Sequence, residues 1–231
     1  MSQITSHNAI EQTVHVNAGN VTLEGNLIIP DNAIGIVLFA HGSGSSRHSP
    51  RNRYVAQFLQ HTKLATLLID LLTADEEAID QRTRHLRFDI ELLAQRLIGA
   101  TDWLQQNPQT RSLPIGYFGA STGAAAALVA AAERPDIIKA IVSRGGRPDL
   151  AGTALPHVQA PTLLIVGGYD TPVIGMNQVA QAQLHVPTQL EIVPRATHLF
   201  EEPGALETVA HLASQWFQRY LMPPDRASPT T

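Results

Sequence analysis

Two patterns of hydrophobic and polar positions alternate along this chain. Short apolar runs, typical of strands that are buried on both faces, occupy residues 34–40, 65–72, 115–118, 137–142, 162–166 and 189–193. Between them, apolar residues recur at helical spacing in residues 50–60, 76–106, 121–132, 173–183 and 205–220. Because parallel strands need crossovers of about this length, the alternation predicts an α/β fold with a mostly parallel sheet and helices on both faces.

The first strands are predicted to pair differently from the rest. Residues 13–16 and 21–29 are strand-like runs joined by a turn at residues 17–20, which predicts an antiparallel start to a sheet of about eight strands. The helix at residues 50–60 is expected to bury Tyr54, Val55, Phe58 and Leu59. The segment at residues 76–106 is predicted to be one long amphipathic helix with Phe88 and Leu92 on its apolar side.

The chain length predicts a single domain. A chain of 231 residues can bury a sizeable core, and no linker divides it, so residues 1–222 are assigned to one domain. Residues 223–231 are polar and rich in proline, and we expect them to be disordered. Only residues 144–161 separate two predicted strands, too few for a lid domain, so the site should be an open cleft.

Composition narrows the range of functions. The net charge of −4 does not favour nucleic acid or anionic lipid, and no apolar run is long enough to cross a membrane. The absence of cysteine excludes disulfides, thiolate metal sites and a cysteine nucleophile. With no signal-peptide pattern at the N-terminus, we expect a cytoplasmic protein. No metal-binding motif is present, so neither a metal nor another cofactor is expected.

The sharpest chemical motif is Gly-Ala-Ser-Thr-Gly at residues 119–123, which fits the pattern G-x-S-x-G. It lies where an apolar strand ends and a helix begins. A serine there occupies a tight, strained turn that raises its hydroxyl above the carboxyl edge of the sheet. We therefore predict that Ser121 is a nucleophile. The alternative is an inert glycine-rich turn, since the bare pattern also occurs by chance.

A serine nucleophile needs a base, and the base needs an acid to orient it. Of the ten histidines, His198 follows the last predicted strand and precedes the last helix, so it should reach the same sheet edge as Ser121. Asp170 follows the strand at residues 162–166 and is the predicted acid. Its alternative role is a helix cap before Thr171, and Asp149 is the competing acid.

An oxyanion hole completes the predicted site. The backbone N–H groups of Thr122 and Ser43 are the candidates, because they follow the nucleophile and the first long buried strand. The neighbouring His41 and Gly42 are expected to contact the substrate. A phosphate-binding loop is the alternative, but no Gly-Lys-Ser/Thr follows, and Arg47 stands where a third glycine would fall.

Positively charged side chains crowd the predicted rim of the site: Arg47, His48, Arg51, Arg53, Arg144 and Arg147. Arginine suits the recognition of carboxylates, and Arg144 is the best candidate for a substrate contact because it leaves its strand at the catalytic edge. The alternative is that these groups pair with nearby acids, such as Asp70, Asp149, Glu76 and Glu77, or are simply solvated.

Taken together, these features resemble the α/β-hydrolase superfamily over residues 13–220, and the order Ser121, Asp170, His198 matches its chain order. The small size and missing lid resemble the dienelactone-hydrolase-related group, whose namesake is known for a cysteine nucleophile where this chain has serine. The resemblance implies a serine hydrolase that acts on small or accessible carboxylic esters through an acyl-enzyme. An acyltransferase, an amidase and a non-catalytic binding or scaffold protein remain alternatives.

Overall fold

The computed structural model describes residues 10–222, and an eight-stranded sheet forms its centre. The strands are β1 (Gln12–Ala18), β2 (Val21–Ile28), β3 (Gly35–Ala40), β4 (Leu64–Ile69), β5 (Ile115–Ala120), β6 (Ile138–Arg144), β7 (Thr162–Gly167) and β8 (Thr188–Val193). Their spatial order is β1-β2-β4-β3-β5-β6-β7-β8. Strand β2 runs antiparallel to both of its neighbours, whereas all other pairs are parallel. The predicted sheet, with its antiparallel start, is confirmed.

Within the described part of the chain, six helices cover the sheet, and they lie on both of its faces, as predicted. They are α1 (Pro50–His61), α2 (Ala74–Thr83), α3 (Ile90–Gln106), α4 (Thr122–Glu133), α5 (Thr171–Gln181) and α6 (Ala205–Leu221). Helices α1 and α6 pack with one apolar cluster, and α3 and α4 pack with a second cluster on the opposite face. Within α1, Val55 and Leu59 are buried as predicted and Phe58 is partly buried, but the prediction is wrong for Tyr54, which is 37% exposed.

The prediction of one long helix at residues 76–106 is wrong. The segment is not one helix, because α2 ends at Thr83 and the next residue, Arg84, adopts a left-handed conformation with φ of 55°. A short 3-10 turn (Leu86–Phe88) follows, and the carboxylate of Asp89 then caps α3 by accepting the N–H of Leu92. Phe88 is consequently 55% exposed and not part of the core. Apolar spacing alone did not reveal this break, since no proline or glycine marks it.

The connection between β6 and β7 contains a 3-10 segment, Pro148–His157, that hydrophobic spacing did not predict. It is short and packs against α4, so no lid domain is inserted between these strands. The predicted disordered tail at residues 223–231 lies outside the described residues.

The parallel strands end at one edge, which we call the carboxyl edge of the sheet. Ser121 directly follows β5, Arg144 ends β6, Asp170 follows β7 and His198 follows β8. The loop after β3 begins with His41. These candidate residues are far apart in sequence but lie close to the same edge, because the loops that follow parallel strands all lie at the carboxyl edge of the sheet.

Candidate active site

The backbone of Ser121 lies in an unusual conformation at the turn between β5 and α4. Its φ is 51° and its ψ is −120°, a combination that a residue with a side chain rarely adopts. Three backbone hydrogen bonds hold it there. Its N–H donates to the carbonyl of Arg144 at 3.3 Å, and its carbonyl accepts the N–H groups of Ala124 and Arg147, each at 3.1 Å. The surrounding structure therefore fixes this strained turn in place.

The two glycines of the motif are required by close packing. A Cβ atom on Gly119 would lie 2.4 Å from the Cα of Ala124, and one on Gly123 would lie 2.4 Å from the carbonyl oxygens of Ala40 and His41. Side chains therefore cannot be accommodated at either position without moving backbone. The motif brings α4 close to the ends of β3 and β5, and this closeness positions Ser121 at the carboxyl edge.

The structure brings Asp170 and His198 together. Nδ1 of His198 donates to Oδ2 of Asp170 over 2.6 Å, which leaves Nε2 as the proton-accepting nitrogen. Asp170 occupies the position before α5, yet its side chain makes no capping hydrogen bond to that helix. The competing acid, Asp149, instead pairs with Arg147 at 2.9 and 2.8 Å. The geometry thus favours the Asp170–His198 pair over both alternatives.

Ser121 and His198 line the same cavity, which has a volume of about 250 Å³. Gly42, Ser43 and Arg144 contribute to its walls, as does the partly exposed Leu199. Among residues 10–222, no hydrogen bond of 3.5 Å or less joins the Ser121 hydroxyl to the His198 ring, whose bond of this kind is to Asp170.

The loop after β3 is held by His41, which is buried. Its Nδ1–H donates to the carbonyl of Gly42 at 2.9 Å, and its Nε2 accepts the N–H of Leu71 at 3.1 Å. The bond that Nε2 accepts requires a neutral ring, and burial lowers the pKa of His41 accordingly. The His41 ring does not line the Ser121 cavity, whereas Gly42 does. His41 is thus engaged with backbone and fixes the loop that carries Ser43.

Both predicted oxyanion donors lie beside this loop. Ser43 lines the Ser121 cavity and also a small adjoining cavity, of which Thr122 forms another wall. The N-terminus of α4 begins at Thr122, so its first N–H groups point toward the carboxyl edge. This arrangement is compatible with two backbone donors converging on one oxygen of a substrate.

Most of the arginines at the rim pair with acids, as the alternative interpretation expected. Arg47 pairs with Asp70 and Glu24 and Arg147 with Asp149, and two further pairs are Arg51–Glu201 at 3.1 Å and Arg53–Glu11 at 3.2 Å. Arg144 differs from all of them. It is 6% exposed, lines the Ser121 cavity and has no Asp or Glu oxygen within 4.0 Å among residues 10–222.

Sequence reasoning missed two polar residues of this site, Ser49 and Asn52. Both are buried at the start of α1 and line the Ser121 cavity, and Asn52 accepts a hydrogen bond from Nη2 of Arg144 at 3.5 Å. Serine and asparagine at the start of a helix usually face solvent, so only their burial distinguishes them.

Within residues 10–222, the side chains of His, Cys, Asp and Glu form no group of three or more that could hold a metal ion. No helix in the described part of the chain has the length and apolar character needed to cross a bilayer.

The strand order, the strained serine between a strand and a helix, and the Ser-Asp-His order define the class: this is an α/β-hydrolase fold. The sequence profile of the dienelactone hydrolase family matches residues 51–221, and the chain belongs to that family. The resemblance predicted from sequence is thereby confirmed.

The chain is similar to several proteins of known sequence or structure. The crystal structure of a dienelactone hydrolase from Anabaena variabilis is 70% identical, with a TM-score of 0.92 over 93% of this chain and 99% of that one. Two Mycobacterium tuberculosis proteins named "Putative phosphoribosyl transferase" are 60% identical over 93% of this chain. This chain covers 47% of their length, about half. Est1E from Butyrivibrio proteoclasticus, at 16% identity, shares the fold with a TM-score of 0.74 over 90% of this chain and 98% of Est1E.

Proposed function

We propose that the protein is a serine hydrolase that cleaves carboxylic esters through an acyl-enzyme. One observation carries the proposal: Ser121 is held in a strained turn and shares a cavity with His198, whose other ring nitrogen is bonded to Asp170 at 2.6 Å. This is the arrangement that converts an unreactive alcohol into a nucleophile. The family membership of residues 51–221 and the 70% identity to a dienelactone hydrolase support hydrolysis as the class of reaction.

In the first half of the proposed reaction, the Ser121 oxygen attacks the ester carbonyl while Nε2 of His198 accepts its proton. Asp170 keeps the ring in the correct tautomer and stabilises the imidazolium that forms. The negative oxygen of the tetrahedral intermediate is stabilised by the N–H groups of Ser43 and Thr122. Loss of one such donor typically lowers the rate by about 100- to 1000-fold. The imidazolium then returns its proton to the departing alcohol.

In the second half, water replaces the alcohol. His198 removes a proton from the water as it attacks the acyl-serine, and the collapse of the second intermediate releases the acid and restores Ser121. The same two donors serve both intermediates. The ester, one water molecule and the side chains of this chain account for all protons and electrons, since the imidazolium returns the water proton to Ser121 as the acid leaves.

The proposed substrates are small or accessible esters. The connection between β6 and β7 holds only a short 3-10 segment, and the cavity at Ser121 is about 250 Å³, smaller than a drug-sized ligand site. Hydrolysis of p-nitrophenyl acetate and butyrate should exceed that of the palmitate ester. A clear preference for the long chain would contradict an open, shallow site.

Two related activities use the same machinery. An acyl acceptor other than water would make the protein an acyltransferase, and an amide substrate would make it an amidase. Product analysis with added alcohols or amines separates transfer from hydrolysis. The transferase name of the mycobacterial relatives belongs to proteins of which this chain covers 47%, whereas the dienelactone hydrolase profile matches residues 51–221 of this chain itself.

The decisive test uses a fluorophosphonate probe, which labels activated serines. We expect one label, on Ser121, identified by mass spectrometry, and none in the Ser121→Ala variant. That variant should also lose at least about 10⁴-fold of the esterase kcat, since the other groups act through the serine. A matched control is Ser112→Ala, at an exposed serine that does not line the Ser121 cavity, and this variant should keep the label. Absence of label on a folded wild-type protein would favour a binding or scaffold protein of the same fold.

A further inference from the structure

Strand β8 is one of the two edge strands of the sheet, and among residues 10–222 only β7 pairs with it. The carbonyl of Pro187, just before β8, accepts the N–H of Thr162, and the carbonyl of Val193 accepts the N–H of Gly168. Both carbonyls therefore point toward β7. Because peptide groups alternate in direction along a strand, three residues of β8 point their N–H and C=O groups away from β7: Thr188, Leu190 and Ile192.

The outer side of β8 lacks the features that usually protect a sheet edge, such as lysine, proline or a bulge. Between Thr188 and Val193 there is no lysine or proline, Glu191 is the one charged residue, and the pairing with β7 is regular. Ile192 is 41% exposed, and Val179 of α5, the helix that packs against β8, is 62% exposed. The edge is therefore open and partly apolar.

A second copy of β8 fits this edge in the antiparallel direction, about a two-fold axis that passes between the two Leu190 residues. Thr188 of each copy then lies opposite Ile192 of the other. In this register all outward N–H and C=O groups of these residues are bonded, because each pair exchanges two hydrogen bonds. The strand is thus complementary to itself, as a two-fold interface requires.

The side chains favour the same register. Val193 belongs to the apolar cluster that includes α6, so Gln189 and Glu191 lie on that face of the strand. Glu191 of one copy then lies opposite Gln189 of the other, and a carboxylate meets an amide that can donate to it. Sliding one strand by two residues places Glu191 opposite Glu191, or Ile192 opposite Val186. The first slide brings like charges together, and the second moves Ile192 beyond the end of the facing strand.

We infer that two copies of this protein dimerise through antiparallel pairing of their β8 strands, which joins their sheets into one. The inference goes beyond the proposed esterase function and does not depend on it. No residue of β8 lines the Ser121 cavity, so pairing requires no change there. The carboxyl edges of the two copies point in opposite directions, and activity per chain should be the same in the dimer and the monomer.

Analytical ultracentrifugation of the whole chain tests the dimer, and the wild type should sediment at twice the mass of one chain. Ile192→Lys places a lysine on the edge and should weaken dimerisation at least about 10-fold. The matched control is Ile79→Lys, at an isoleucine of α2 that is 44% exposed, and this variant should remain dimeric. A wild type that is monomeric at about 100 μM, or equal weakening in both variants, would overturn the inference.

A disulfide tests the register, since the chain has no cysteine of its own. Leu190→Cys places two thiols at the two-fold axis, where the Cα atoms of a hydrogen-bonded pair are about 5.5 Å apart, within reach of a disulfide. In a glutathione redox buffer this variant should form a covalent dimer. The control is Thr188→Cys, whose two copies lie about 14 Å apart in this register and should stay unlinked. Linkage of the control, or none in Leu190→Cys, contradicts the pairing.

A pair of charge variants tests the same interface without touching its apolar residues. Gln189 is exposed, so both variants should fold, which thermal unfolding checks. Gln189→Glu places carboxylates opposite each other twice in the dimer and should weaken it by about 10-fold, whereas Gln189→Lys faces Glu191 with a cation and should tighten it. A dimer that responds to both changes in the same direction, or to neither, does not form through β8.

Discussion

The carboxyl edge of the sheet and the connection between β4 and α3 (residues 70–89) both hold buried charge, but only the connection neutralises it. There, Asp80 is buried against Arg87, and Glu76 of α2 pairs with the buried Arg96 of α3. At the carboxyl edge, Arg144 is buried without a carboxylate, and Ser121 keeps a strained backbone. The buried charges of the connection are paired with opposite charges. The unpaired Arg144 and the strained Ser121 instead lie together at the carboxyl edge, where the chemistry is proposed.

The two regions differ in whether their polar groups are bonded within the protein. Pairing within the connection satisfies polar groups that an irregular segment would otherwise leave exposed or unpaired. The Oε2 atom of Glu76 also accepts the N–H of Thr73, so the same carboxylate caps α2 while it neutralises Arg96. An active site cannot be satisfied in this way, since a group that is fully bonded within the protein has no bond left for substrate. The two regions should therefore respond differently to the same kind of substitution.

The largest expected effect lies at the carboxyl edge. Asp170→Asn removes the charge behind His198 and can hold the ring in the wrong tautomer, and kcat should fall by about 10⁴-fold. Stability should change little by comparison, because this carboxylate makes no capping bond to α5. The control is Asp149→Asn, at an acid paired with Arg147, for which kcat should stay close to that of the wild type. Equal losses in both variants would show that the acid had been assigned wrongly.

The next effect lies in the connection. Arg96→Met keeps the apolar stem but leaves Glu76 without its cation, and we expect the free energy of unfolding to fall by about 2 kcal/mol. The value is below that for a fully buried pair because Glu76 is partly exposed and retains its bond to Thr73. Urea unfolding monitored by circular dichroism measures it. If the variant were as stable as the wild type, the Arg96–Glu76 pair would make no net contribution to the free energy of unfolding.

The same substitution at the other buried arginine should have the opposite sign. Arg144→Met removes an uncompensated cation and places an apolar side chain near Phe200, so the free energy of unfolding should rise by about 1 to 2 kcal/mol. Unfolding in urea under identical conditions allows direct comparison with Arg96→Met. If both variants lost a similar amount of stability, the two buried arginines would not differ in their contribution to folding, and the proposed contrast would be wrong.

Much of this architecture could be predicted from sequence, because short stretches of residues mark its strands and its tight turn. The buried strands and the turn at Ser121 are marked by apolar runs and by glycines that sterics require, and parallel topology then predicts that Asp170 and His198 meet. The break near Arg84 was not predictable, since a left-handed arginine has no compositional marker. The lack of an acidic partner for Arg144 was equally unpredictable, because the pairing of an arginine depends on which side chains, distant in sequence, the fold brings within reach.

His41 connects the two regions, since its ring joins the loop at Gly42 to the N–H of Leu71 at the start of the connection. Burial lowers the pKa of His41 in the folded protein, although the nearby charges of Asp70 and Glu77 act in the opposite direction. The unfolded chain therefore takes up this proton first, as the pH falls through the ordinary histidine value of about 6.5. Stability from His41 is fully present above that pH and is lost progressively below it. Measured by urea unfolding at pH 8 and pH 5, the stability advantage of wild type over His41→Gln should shrink at the lower pH. An advantage that stays constant or grows would mean that a neutral His41 ring does not hold the loop to the connection.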